Sequence, residues 1–206
     1  RNRMSAGKGI VHSEREQPER LNEKRPLFGL QSWVALPKHL EETDPTFQHH
    51  GTDEQPEFAD QGVSVKLIAG SLYGHTAPVK TASDMFYADI HLEPGAKVPL
   101  DAGWEERGIY TISGQITIAG QTFDPAQLMV LKPGDHLVIE NTSPTPARFV
   151  VMGGEPMDGE RYIWWNFVSS SKERIEQAKE DWRQGRFDIV PGDEEEFIPL
   201  PDRPGP

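Results

Sequence analysis

The sequence predicts an all-β protein, a sandwich or small barrel, with one C-terminal helix. Three observations carry this. Between residues 62 and 153, short apolar and β-branched runs recur at near-regular spacing, each closed by a Gly or Pro turn. Alternation of period two dominates there, as in Val63-Ser64-Val65-Lys66-Leu67-Ile68. Helical periodicity with its own start and stop signals stands out once, after residue 170.

The strands follow in order. Residues 63–68 run into Ala69-Gly70, and Met85–Leu92 (MFYADIHL) is stopped by Glu93-Pro94-Gly95. Residues 109–112 and 115–118 flank Ser113-Gly114, which reads as a hairpin. Residues 128–131 and 137–139 flank Lys132-Pro133-Gly134-Asp135 in the same strand–turn–strand manner, and 148–152 closes the set before Gly153-Gly154. Nearer the start, 10–14 and 30–36 (LQSWVAL) are also strand candidates. A polar stretch from Pro37 to Gln61 connects these early strands to the rest. The helix opens on Ser170 as cap, with Glu173 three residues on, places Ile175, Ala178 and Trp182 on one face, and stops at Gly185. Such a stripe reads as core packing. The acidic, proline-rich run after Val190 reads as an extended tail.

Composition narrows the function. The 206 residues contain no cysteine, which removes disulfides and thiolate metal sites. A metal would be held by His, Asp, Glu or water, a donor set that favours iron, manganese, copper or nickel over structural zinc. The net charge of −12 repels nucleic acid, so no direct nucleic-acid partner is expected. No apolar run reaches the ~18 residues of a membrane span, so no membrane partner is expected, and the location predicted is cytoplasmic.

His12-Ser13-Glu14 is the metal-ligand pattern that matters. Alternate residues of a strand point to one side, so His12 and Glu14 can face a barrel interior together. Alone, H-x-E reads first as the end of an ordinary surface strand. His49-His50 and the pair His91/Glu93 are weaker candidates: adjacent residues diverge on a strand, and His91 and Glu93 fall on the polar side of an alternation that turns Phe86, Ala88, Ile90 and Leu92 inward.

Five blocks in order, MSAGKGIVHSE, LFGLQSWVALP, TFQHH, VKLIAGSLYGHTAPVKT and NFVSSSKERIEQAKEDWRQGRF, resemble the pirin family. The resemblance runs from Arg3 to about Phe187. It implies a bicupin, two β-barrel or jelly-roll domains, in which the N-terminal cupin holds one iron through three histidines and one glutamate. It assigns 1–36 to the terminal strands of an incomplete N-terminal cupin, 37–61 to the connection, 62–155 to the C-terminal cupin barrel, and 156–206 to the helix and acidic tail. The front of the N-terminal cupin, with the first two ligands, is expected to be missing. His12 and Glu14 match the second pair, as metal ligands for Fe or another divalent ion such as Cu, Mn or Ni, and Glu14 is also the candidate catalytic base.

General cupin spacing tests the second barrel. Its first two histidine slots fall on Asp101 and Gly103, its glutamate slot on Arg107, and its last histidine slot on Leu137, while Asn141 fits the closing asparagine. His136 is one residue off, on the opposite face. The C-terminal barrel is thus predicted to keep the turns without the ligands.

The resemblance implies a quercetin 2,3-dioxygenase-like enzyme acting on a flavonol or similar small aromatic substrate. Two alternatives accompany it: a non-enzymatic iron-containing regulator that binds a protein partner, and a metal-free fragment without activity.

Overall fold

Alternation in the sequence becomes a two-sheet core. In the computed structural model, which describes residues 2–16, 18–24, 26, 28–134 and 136–202, β1 (Asn2–Ser5) pairs with β2 (Thr46–His49). The strands that follow are β3 (Glu57–Asp60), β4 (Val63–Leu72), β5 (His75–Thr76), β6 (Met85–Leu92), β7 (Lys97–Leu100), β8 (Glu106–Ser113), β9 (Ile116–Ile118), β10 (Gln121–Phe123), β11 (Leu128–Leu131), β12 (Leu137–Glu140) and β13 (Ala147–Gly154). The larger sheet runs β11-β8-β13-β6-β4-β3, with β5 on β4, and the smaller runs β10-β9-β12-β7. Their inner faces meet in one core: Phe86, Ala88, Ile90, Leu92, Ile109, Phe149 and Val151 from the larger sheet and Ile116 and Ile139 from the smaller are fully buried. This is the alternation expected of β6, whose odd-numbered neighbours Tyr87, Asp89 and His91 take the other face.

The expected hairpins resolve differently. β8 pairs with β11 and β13, whereas β9 pairs with β10 and β12, so the chain changes sheets at Ser113-Gly114. Gly114 makes the crossing with φ +69°, and a Cβ there would collide with the Pro146 carbonyl oxygen. β11 and β12 likewise belong to different sheets. A two-residue Gly turn suits a hairpin and a sheet-changing corner equally, and only the pairing partners decide between them.

The chain divides into two compact units, one built on Phe47–Pro156 and the other on Met4–Thr46 together with the chain from Met157 onward. The second contains the hairpin β14 (Tyr162–Trp164) and β15 (Phe167–Ser169) and the helix α1 (Lys172–Arg183). Ile175 and Ala178 are buried, as their spacing predicts, and Trp182 joins Trp165, Phe167, Phe187 and Phe197 in an aromatic cluster. Gly185 ends the helix at φ +63°. The cap is Ser171, one residue later than expected: its hydroxyl oxygen accepts from Arg174 N–H at 3.1 Å. Ser170 is drawn away because its N–H and hydroxyl both donate to Glu41.

Residues 10–14 and 30–36, expected as strands, form none among the described residues. An isolated extended segment has no ladder to satisfy its backbone, and Leu30, Trp33 and Val34 are correspondingly exposed. No helix of the described residues is long and apolar enough to cross a membrane.

Candidate functional site

The segment bearing His12 and Glu14 is fixed on both sides within the second unit. Upstream, Gly7 (φ +50°) lies so close to the Thr43 carbonyl that a Cβ would collide with it, and Lys8 N–H donates to that same oxygen at 2.9 Å. Gly9 (φ +144°) sits under the Phe187 ring, where a Cβ would come within 3.1 Å of Cε1. Arg174 reaches from α1 to donate Nη2–H to the Lys8 carbonyl at 2.9 Å and Nε–H to Glu42 at 2.8 Å. Downstream, Arg15 makes a two-pronged pair with Asp193, Nε to Oδ2 at 2.7 Å and Nη2 to Oδ1 at 2.8 Å, and its Nη1 lies 2.5 Å from Glu196 Oε2. The Asp193 carboxyl is held below its usual range, first by Arg15 and then by the nearby Ser13.

His12 and Glu14 themselves lie in irregular chain and are exposed. They suit a non-haem iron in kind, an imidazole and a carboxylate, but they are two donors where the resemblance implies four. Among the described residues, no group of three or more His, Asp or Glu is placed to hold an ion. The residues present therefore do not by themselves complete such a centre. Three other histidines are engaged elsewhere: His49 Nδ1 hydrogen-bonds Asn2 at 2.8 Å, His50 Nδ1 pairs with Glu54 at 2.8 Å, and His75 stacks on Phe58. His91 is exposed beside Asp89, which Arg148 holds in a two-pronged pair at 3.0 and 2.6 Å.

The second barrel shows what replaced its ligand slots. Arg107, in the glutamate slot, is buried, and its guanidinium donates to the backbone carbonyls of Asp101 at 2.9 Å and Lys132 at 2.8 Å. A fixed organic cation thus ties β8 to the loops before it and after β11. Asp101 is exposed, Leu137 packs against the core, and His136 is exposed. Asn141 is buried and organises a turn, donating to the Leu92 and Thr145 carbonyls while its oxygen accepts from Ser143.

The comparisons decide the family. A model described as the pirin C-terminal cupin domain matches residues 87–188. A pirin-like protein of Caulobacter vibrioides is 44% identical over 98% of this chain and 69% of its own length. The chain belongs to the pirin family. Human pirin is 35% identical over 89% of the chain, which spans 63% of that relative's length. A crystal structure of quercetin 2,3-dioxygenase from Acinetobacter baumannii superposes with a TM-score of 0.73 at 25% identity, covering 84% of this chain and 57% of that one. The fold of this pirin is accordingly an all-β cupin with one helix in its C-terminal part. Sequence reasoning singled out His12 and Glu14, which the structure places together on one exposed segment without further donors among the described residues. It missed Arg15 and Asp193, because residues 178 positions apart leave no pattern in a single sequence.

Proposed function

We propose that the chain is part of a pirin-type bicupin metalloprotein with quercetin 2,3-dioxygenase-like activity, in which His12 and Glu14 are two ligands of a non-haem iron. The kinship with the Acinetobacter quercetin dioxygenase supports the reaction class. The assignment of residues is supported by the match of GIVHSE to the family's ligand segment and by the donor chemistry of an imidazole and a carboxylate two residues apart. The remaining donors come from outside the described residues. In this reading Glu14 is also the base that accepts the proton of an acidic enol hydroxyl on a flavonol, and His12 is a ligand only.

Metal analysis and oxygen uptake on the protein carrying this chain test the proposal. Iron is expected in the wild type and lost on His12→Ala or Glu14→Ala, with quercetin-dependent oxygen uptake lost alongside it. Iron retained in the double variant overturns the ligand assignment. Iron present without flavonol-dependent uptake overturns the enzymatic reading in favour of an iron-containing regulator.

A further inference from the structure

We propose that β11 is the edge through which two copies of this chain pair, antiparallel, about a two-fold axis at Met129. The strands that end the two sheets are β3 and β11 in the larger and β7 and β10 in the smaller. β3 carries Glu57 and Asp60, and β7 carries Lys97 and Pro99, the usual guards of a free edge. β10 is polar at Gln121 and Thr122. β11 reads Leu-Met-Val-Leu and has no such guard. Leu128 is 60% and Val130 82% exposed on the outer face of the larger sheet. Opposite Val130 on β8 stands Gly108, which has no side chain to cover it.

The backbone is phased for pairing. Thr111 N–H donates to the Gln127 carbonyl at 3.1 Å, and from there the register turns the backbone groups of Met129 and Leu131 toward β8. The N–H and C=O of Leu128 and Val130 therefore point out of the sheet, where no described strand pairs with them. A second copy turned about Met129 supplies the matching groups. Leu128 of each copy exchanges both backbone bonds with Val130 of the other, and their apolar side chains meet on the outer face. Charge selects this direction. Exposed Asp124 precedes β11 and exposed Lys132 follows it. Antiparallel pairing brings each Asp124 toward the other copy's Lys132, whereas parallel pairing sets like charges side by side. The two-fold contact closes on itself, so association stops at the dimer. A short strand pair buries less than a standard interface, and the net charge of −12 opposes association, so the dimer is weak and concentration-dependent.

Sedimentation velocity of the protein carrying this chain, over a concentration series in about 0.15 M salt, tests this. The wild type is expected to shift from monomer toward dimer as concentration rises. Val130→Lys is expected to weaken the dimer by about tenfold or more, with an unchanged melting temperature in dilute solution because Val130 is exposed. Asp124→Lys and Lys132→Asp each weaken it by about fivefold, and the double variant recovers it. A wild type that stays monomeric at millimolar concentration overturns the proposal, as does a dimer that Val130→Lys leaves intact. A lower melting temperature for Val130→Lys in dilute solution shows that another part of the same protein covers the strand, and overturns it too. Single charge variants that weaken the dimer without recovery in the double variant overturn the antiparallel arrangement.

Discussion

Arg161 and Glu41 form an ion pair at 2.6 Å in which the two side chains are 5% and 14% exposed. Each is held by more than the other. Arg161 also donates to the Leu36 carbonyl at 2.7 Å and to the Gly159 carbonyl at 2.9 Å, and Glu41 accepts from the Ser170 N–H and hydroxyl. Asp158, beside Arg161, accepts from Lys38 N–H. Residues 36–41 are therefore stitched to 158–170 by charge rather than by a ladder. Removing one partner of a shielded pair leaves the other charge without compensation. Arg161→Met is expected to cost about 3 kcal/mol in the stability of this unit, and Glu41→Gln less, because the amide oxygen still accepts from Ser170. Urea denaturation followed by tryptophan fluorescence reads both.

Arg107 supports a second expectation. Its guanidinium stands where cupin spacing places a glutamate and donates to two backbone carbonyls. Arg107→Leu is expected to destabilise the barrel by about 2 kcal/mol, through carbonyls left without their donor. Arg107→Glu should be worse still and should gain no metal, because Asp101 and Leu137 do not restore the histidine slots. Thermal melts with and without added ferrous or nickel ions check this: a melting point raised by metal in the glutamate variant would contradict it.

These residues show what the sequence made legible. β6 falls where alternation places it, because a half-buried strand writes its two faces directly into the chain. The ligand slots of the second barrel could be counted from their glycines. What filled Arg107's surroundings could not, since its partners are backbone carbonyls, which carry no residue identity. The sheet change at Gly114 was equally hidden, because a glycine records the need for positive φ and not which strand comes next. The pairing of Arg15 with Asp193 lies beyond any local pattern. His12 and Glu14 could be proposed from spacing and kinship, whereas the expected strand around them was not formed among the described residues.

Acid should loosen the second unit first. Among the described residues, the carboxylates held below their ordinary range all lie there: Asp44 by Lys8, Asp158 by Arg161 and then by Lys38 N–H, Glu173 by its own backbone N–H and then by Ser171, Asp181 by Arg186 and then Gln177, and Asp193 by Arg15. A depressed carboxyl contributes stability that is present above its unfolded pKa and is lost as pH falls through the folded value. The loss therefore begins below about pH 4, where unfolded aspartate starts to protonate. Each of these carboxylates is solvent-accessible and individually weak in effect, so the loss is collective and should shrink in high salt. An acid titration followed by tryptophan emission, with three tryptophans in the aromatic region of α1 and its hairpin, should move before the far-ultraviolet signal of the barrel sheets. Simultaneous transitions in low salt would count against it.

The two serines at the start of α1 should separate cleanly. Ser171 caps the helix, accepting from Arg174 N–H and donating to Glu173 at 2.8 Å, whereas Ser170 donates to Glu41 at 2.8 Å. Ser171→Ala removes a cap and is expected to cost about 1 kcal/mol. Ser170→Ala costs a similar amount for a different reason, the loss of one bond to a shielded carboxylate. Stability alone will not tell them apart. A double-mutant cycle with Glu41→Gln will: Ser170 should couple to Glu41 by about 0.5 kcal/mol or more, and Ser171 should add independently of it. Coupling of Ser171 but not Ser170 would restore the cap to the position its spacing first suggested and would contradict the hydrogen bonds described above.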